Sequence, residues 1–183
     1  LVIVIGQNPG TNSPRMLASL RAAKLAGAKI LSINPLTEVA LTSFVDPNPQ
    51  HYGKNPLAGP FALISNRGTK LADLHLPVRI GGDMAVLKGL MKLLREREIA
   101  YPGSVFDQTF IEKKTDGYLE LVNLLDRTTW DEILYSTGLT REKLNDAASM
   151  IAEDVGFNST ASFNRVFRDL TGVSPSTYRS ENT

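Results

Sequence analysis

The sequence predicts an α/β fold, a Rossmann-like parallel sheet flanked by helices, with a C-terminal all-α helix-turn-helix appendage. Three observations predict it. The chain opens on an apolar run from Leu1 to Ile5, rich in β-branched residues and typical of a strand buried on both faces. A helix and a second apolar strand, Lys29 to Ile33, follow in β-α-β order. A third strand within residues 72–80 leads into a long amphipathic helix.

Each predicted strand is followed by a turn that is rich in Gly, Asn, Pro or Asp. These turns are Gly6-Gln7-Asn8-Pro9, Asn34-Pro35 and Gly81-Gly82-Asp83. The carboxyl ends of parallel strands meet at one edge of a sheet, so we expect the three turns at the same edge. A strand, a glycine turn and a helix N-terminus can together bind a phosphate-bearing ligand. Taken singly, however, Asn8-Pro9 is a common turn, Asp83 a helix cap and the glycine pair a tight turn.

The helices carry recognisable start and stop signals. Ser13 is expected to cap a helix that begins at Pro14 and stops at Gly27. Thr129 and Thr140 are expected to open two later helices, and residues 158–170 a last one.

Three further stretches are given non-catalytic interpretations. Residues 36–73 are predicted to form a long irregular loop over the ligand edge of the sheet. His75 is expected to be packed rather than catalytic, and the charged run from Arg95 to Glu98 is expected to be a solvated helix face.

Composition limits the class of protein. The 183 residues suffice for one domain with a small appendage, and the formal net charge of +1 predicts no non-specific attraction to nucleic acid or anionic membranes. The chain has no cysteine, which excludes disulfides and thiolate metal sites within it. It has no apolar stretch of the roughly 20 residues that span a bilayer, so we expect a cytoplasmic protein without membrane contact. The missing initiator Met suggests a fragment of a longer protein.

The order of motifs over residues 1–149 resembles the molybdopterin oxidoreductase family, and most of all its formate dehydrogenase-like alpha subunits. The motifs are Ile5-Gly6-x-Asn8-Pro9, a strand ending near residue 35, Gly81-Gly82-Asp83-x-Ala85-x-Leu87, Phe106-Asp107-x-x-Phe110-Ile111 and Thr115-x-Gly117-Tyr118. The resemblance implies the third, nucleotide-binding domain of such an enzyme. It also implies a molybdopterin guanine dinucleotide as cofactor.

The resemblance assigns binding roles residue by residue. Gly6 would let the backbone approach the pyrophosphate, and Asn8 would hydrogen-bond the nucleotide. Asn34 stands where many relatives have an acidic residue for the ribose, and Leu36 where many have Arg. Asp83 would pair with the guanine edge. The cofactor-binding residues predicted are therefore Gly6, Gln7, Asn8, Pro9, Asn34, Pro35, Gly81, Gly82 and Asp83.

Catalysis is not assigned to any residue of this chain. The resemblance places the metal ligand in a domain that would precede residue 1, while the cofactor performs the redox chemistry. We therefore expect an oxidoreductase by family, inactive alone, whose partner is the remainder of the enzyme.

Residues 150–183 resemble a different family, the closing helix-turn-helix of the AraC/XylS transcription regulators. The resemblance lies in Gly156-Phe157, the pair Phe163 and Phe167, Thr171-Gly172 and the ending Pro175-x-x-Tyr178-Arg179. It implies an alternative function, sequence-specific DNA binding through Ser159, Thr160, Ala161, Asn164, Arg165 and Arg168. Three arginines against four acidic residues make this segment a poor phosphate-binding surface, so any DNA contact should be weak. We expect a fused sequence in which a truncated oxidoreductase joins a regulator's tail.

Overall fold

A computed structural model describes residues 1–42, 44, 69–103 and 105–153. Within them the strands are β1 (Val2–Ile5), β2 (Ile30–Ile33) and β3 (Leu74–Leu76). The helices are α1 (Pro9–Asn12), α2 (Pro14–Leu25), α3 (Val39–Thr42), α4 (Asp83–Ala100), α5 (Gln108–Lys114), α6 (Tyr118–Arg127), α7 (Trp130–Thr137) and α8 (Arg141–Ala152). None of these helices is long and apolar enough to cross a membrane.

The three strands form one parallel sheet in the order β1-β2-β3, which confirms the predicted α/β fold with a parallel sheet. The register pairs Val2 with Ile30 and Ile5 with Ile33, so β1 and β2 end at the same level. One face of β1 and β2 joins a core with Leu17 and Leu20 of α2. This face therefore holds the β-α-β unit together.

The prediction that β1 is buried on both faces is wrong for its second face. Val4 is 6% exposed, but Ile3 and Ile5 are 42% and 37% exposed. Their neighbour on the same face, Ile33, is 1% exposed. The difference follows from strand order, because β1 is the outermost strand of the described sheet and β2 lies between two neighbours.

The chain after β1 differs from the predicted simple turn and helix. A short helix, α1, comes first, and Asn8 caps it by accepting a 3.2 Å hydrogen bond from the Thr11 N–H. The helix α2 begins at Pro14 with Ser13 at its N-cap, as predicted, but the Ser13 side chain makes no capping hydrogen bond. The side-chain cap in this part of the chain belongs instead to Asn8, at the start of α1. The stop at Gly27 is confirmed, with φ of +93°.

The contacts divide the chain into two compact units. Unit 1 comprises residues 1–84 and 135–139, and unit 2 comprises residues 85–134 and those from Thr140 onward. In unit 2 the predicted helix starts are confirmed. Thr129 Oγ1 accepts a 3.2 Å hydrogen bond from Glu132 N, and Thr140 Oγ1 accepts one of 3.3 Å from Lys143 N.

The charged run at the end of α4 is not the solvated face that its composition predicts. Arg95 forms an ion pair with Asp126, and Arg141 approaches Glu96 at 3.1 Å. Glu98 is only 8% exposed. Helical periodicity locates such residues on a face but does not reveal which later segments pack there.

The Glu98 carboxylate organises the chain that follows α4. It accepts hydrogen bonds of 2.6, 2.8 and 3.0 Å from the N–H groups of Gly103, Val105 and Phe106. Burial raises the pKa of this carboxyl, but the three backbone bonds and one from the Gln108 side chain prevail, so its pKa lies below its ordinary value.

Several predicted features fall outside the described residues. They are most of the irregular connection, residues 45–68, and the entire helix-turn-helix segment beyond residue 153, including the predicted helix at 158–170. Within the described part of the connection, α3 is an element that the sequence did not predict.

Candidate functional site

The predicted turns follow the carboxyl ends of the three strands in unit 1. The sheet ladder continues into them, because Gly6 N–H donates to the Ile33 carbonyl at 2.9 Å and Asn34 N–H donates to the Leu76 carbonyl at 3.2 Å. Gly6 and Asn34 thus lie side by side at one edge. The third turn is separated from β3 by residues 77–80, and Gly82 N–H closes it on the Arg79 carbonyl at 2.9 Å.

Glu38 links the first two turns. Its Oε2 accepts a 2.5 Å hydrogen bond from Asn8 Nδ2, and its Oε1 accepts one of 3.1 Å from Asn34 Nδ2. Asn34 Nδ2 also lies 3.4 Å from the Gln7 carbonyl oxygen. Two amides and a carboxylate, from the segments that follow β1 and β2, therefore form one polar cluster, which we call the Asn8–Asn34–Glu38 cluster.

The glycines of the turns differ in what surrounds them. Gly6 and Gly81 have φ values of +60° and +82°, and a Cβ at either would meet no atom within 4 Å. Gly82 is buried, and a Cβ there would lie 2.8 Å from the Ser136 carbonyl oxygen. Gly6 and Gly81 thus leave space beside the backbone, whereas Gly82 is required for packing against the end of α7.

Asp83 is the first residue of α4 and is half-buried. Among the residues that the structure describes, its carboxylate has no hydrogen-bonding or ion-pairing partner. A carboxylate near a helix start is favoured by the helix dipole, and both of its oxygens remain able to accept. The position is therefore compatible with recognition of a ligand's paired N–H groups.

The remaining residues singled out from the sequence differ in how far they are buried. Pro9 is buried as the first residue of α1, while Gln7 and Pro35 are exposed. His75 is half-buried in β3 with Nδ1 3.3 Å from Ser32 Oγ, a packed position as expected.

Glu38 was not predicted from the sequence. It follows the second strand end within Asn34-Pro35-Leu36-Thr37-Glu38, immediately before α3 begins at Val39. A carboxylate four residues after a strand-end amide was the available signal. Glu38 was overlooked because residues 36–73 were assigned as a whole to an irregular loop.

A second carboxylate holds the opposite end of the sheet. Asp73 Oδ2 accepts a 2.8 Å hydrogen bond from Ile30 N, and Asp73 Oδ1 pairs with Lys24. Burial raises the pKa of Asp73, but the bonds from Lys24 and Ile30 and the charges of Lys24 and Lys70 lower it below its ordinary value. Asp73 thus stabilises the amino ends of β2 and β3, away from the turns.

Unit 2 contains an apolar cavity of about 370 Å³, and none of the predicted cofactor-binding residues line it. Its walls come from α4, α5 and α6 and the chain between them: Met91, Arg95, Phe106, Ile111, Thr115, Asp116, Gly117, Tyr118, Leu121, Val122 and Leu125. We assign it no role in nucleotide binding.

Three curated proteins show the range of sequence similarity. The chain is 42% identical over 156 residues to Protein YdeP of Escherichia coli K12, covering 83% of this chain and 19% of that protein. It is 38% identical over 151 residues to the uncharacterized oxidoreductase Rv2900c of Mycobacterium tuberculosis, covering 82% and 18%. It is 23% identical over 150 residues to the F420-dependent formate dehydrogenase 2 subunit alpha of Methanococcus maripaludis, covering 82% and 17%.

The fold also matches a solved structure. Acetylene hydratase from Pelobacter acetylenicus superposes with a TM-score of 0.57 at 21% identity, over 81% of this chain and 16% of that one. No model of a known protein family matches the chain. The chain spans less than a fifth of the length of the three curated relatives. The similarities support the oxidoreductase resemblance, and none supports the transcription regulator.

Proposed function

We propose that this chain is the nucleotide-binding segment of a molybdopterin oxidoreductase, of the formate dehydrogenase-like branch, and that it holds the guanine dinucleotide end of the cofactor. The observation that carries the proposal is the position of Gly6 and Asn34 side by side, directly after the carboxyl ends of the parallel strands β1 and β2. Open α/β sheets bind their ligands in this location.

The residues present fit such a group. The open space at Gly6 would admit a pyrophosphate close to the backbone. The Asp83 carboxylate would accept hydrogen bonds from guanine N1–H and the 2-amino group, a pairing that adenine cannot reproduce. When bound, the cofactor supplies the redox chemistry through its metal, while this chain binds and orients its nucleotide end.

The other parts of the activity would come from the rest of a larger protein. Because the chain spans less than a fifth of its relatives, we expect the metal ligand, the substrate contacts and the second half of the cofactor site to lie there. The remainder of the oxidoreductase is therefore the proposed partner. That remainder, and not this chain, would determine which substrate and which electron acceptor the enzyme uses.

Nucleotide titration of the purified chain tests the proposal. We expect GDP to bind at least about tenfold more tightly than ADP in calorimetry, because Asp83 pairs only with the guanine edge. Asp83→Asn should lower GDP affinity about tenfold or more and abolish the preference. Asp131→Asn is the matched control, since Asp131 also lies in the first turn of a helix. Equal affinity for ADP would refute guanine recognition, and absence of binding by both nucleotides would refute the site.

A further inference from the structure

We propose that the apolar cavity of unit 2 binds a neutral aromatic molecule the size of a fused pair of rings. The cavity measures about 370 Å³ and lies between α4, α5 and α6. None of the predicted nucleotide-binding residues lines it, so this site is separate from the proposed nucleotide site. The inference therefore goes beyond the proposed function and does not depend on it.

Polar bonds beside the cavity hold α4 against α6. Lys92 Nζ of α4 donates to the carbonyl oxygens of Leu125 and Thr128 at 2.6 and 2.9 Å. Further along α4, Arg95 forms an ion pair with Asp126 of α6. These bonds fix the two helices without filling the space between them, so the shape of the cavity does not depend on an occupant.

The wall that contains Phe106 is fixed in the same way. Phe106 N–H donates to the Glu98 carboxylate at 3.0 Å, and Asp107 Oδ1 accepts a 2.9 Å hydrogen bond from Phe110 N–H at the start of α5. The backbone on both sides of the Phe106 ring is thus held before any ligand arrives. Binding to a preformed wall loses little conformational freedom.

The volume of the cavity sets the size of the ligand. An apolar cavity of ~150 Å³ holds one benzene molecule. At about 370 Å³, this cavity has room for roughly two fused rings. Its volume also lies within the range that small-molecule sites occupy.

The lining favours an aromatic ligand. Phe106 and Tyr118, both half-buried, contribute aromatic rings to it, and Met91 contributes a thioether. Aromatic pairs and sulfur–aromatic contacts are favourable beyond the burial of apolar area. A flat ring system can make both kinds of contact, whereas a saturated ring system can make neither.

The charges at the cavity favour a neutral ligand. Arg95 and Asp116 are the charged residues among those that line it, and they carry opposite signs. Arg95 is already paired with Asp126. A carboxylate in the cavity would lose its water without gaining an unpaired cation in exchange, which is unfavourable.

Titration of the purified chain with 2-naphthol at pH 7 tests the assignment. We expect one equivalent to bind with a Kd below about 1 mM and to shift the amide NMR signals of Phe106, Gly117 and Leu121. The charged analogue 2-naphthoate should bind at least about tenfold more weakly. The saturated analogue decahydro-2-naphthol should bind about threefold more weakly.

A pair of variants in α6 supplies the matched control. Leu121→Phe places a larger side chain in the cavity and should weaken 2-naphthol binding about tenfold or more. Leu124→Phe makes the same substitution in the same helix but outside the cavity, and should leave binding unchanged. Val122→Phe is a second filling variant, to be used if circular dichroism shows that Leu121→Phe is unfolded.

The outcomes bear on separate parts of the inference. Absence of 2-naphthol binding, NMR shifts outside the cavity, or undiminished binding in a folded filling variant would refute the site. Equal or tighter binding of 2-naphthoate would overturn the neutral class, and equal binding of decahydro-2-naphthol would overturn the aromatic preference. GDP titration tests the proposed function independently of all of these results.

Discussion

The Asp73 carboxylate accepts a 2.8 Å hydrogen bond from Ile30 N–H, and in return Asp73 N–H donates a 2.8 Å bond to the Ile30 carbonyl. Ile30 begins β2, so this reciprocal pair fixes the start of the central strand. Lys24, near the end of α2, binds the same carboxylate. Asp73, which directly precedes β3, is therefore bonded both to the start of β2 and to the end of α2.

Asp73→Asn should lower the free energy of unfolding by about 1 kcal/mol at pH 7, because a charged acceptor is lost at a partly exposed site. Urea unfolding measures the difference. As the pKa of Asp73 is lowered by folding, its contribution is present above the ordinary value of 3.8 and is lost as the pH falls through the lowered pKa. A difference that does not shrink as the pH falls below 3.8 would contradict this origin.

Glu98→Gln should destabilise unit 2 by about 1.5 to 3 kcal/mol at neutral pH, because the buried carboxylate holds three backbone N–H groups. The folded-state pKa is lowered from 4.5, so wild-type stability should decline as the pH falls below that value. Hydrogen exchange of Gly103, Val105 and Phe106 amides reports the local effect. Unchanged protection of these amides in the variant would contradict the role.

Gly10→Ala should destabilise the contact between α1 and α3 by about 1 to 3 kcal/mol, because the new Cβ would lie 2.6 Å from Ala40 Cβ. The double variant Gly10→Ala with Ala40→Gly exchanges the two residues and removes this clash. A double-mutant cycle from thermal unfolding should show a favourable coupling energy. Additive effects would mean that steric overlap is not the cause.

Gly6→Asn should weaken GDP binding about tenfold or more with little loss of stability. Asn tolerates positive φ better than other residues, but its side chain fills the space beside the backbone at position 6. Gly27→Asn is the matched control, since Gly27 also has positive φ and open surroundings but lies after α2. Equal binding losses in both variants would indicate a general defect instead of a blocked site.

The sequence predicted the features that depend on short-range signals. The apolar runs of β1 and β2, the stop at Gly27 and the caps at Thr129 and Thr140 are each determined by residues within a few positions. The parallel pairing followed from their alternation with helices. The common edge of the first two turns then followed from parallel pairing alone.

The features that were missed depend on residues distant in the chain. Asn8 was predicted as a ligand contact, but nothing near it in the sequence indicates that it donates to Glu38, thirty residues later. The exposure of Ile3 depends on the place of β1 in the strand order. Glu98 was interpreted from the charge of the run Arg95 to Glu98, whereas its burial arises from the chain that follows α4 and donates to it from Gly103 N–H.

The level register of β1 and β2 has a consequence for insertions and deletions. Ile5 pairs with Ile33 without offset, so Asn8 and Asn34 reach Glu38 only if the strands stay in step. A one-residue slip would turn every side chain of a strand to the opposite face. Changes of length in α2 or its turns should therefore be excluded among functional homologues unless they preserve this alignment. The length of α2, which connects β1 to β2, therefore helps to set the relative position of Asn8 and Asn34.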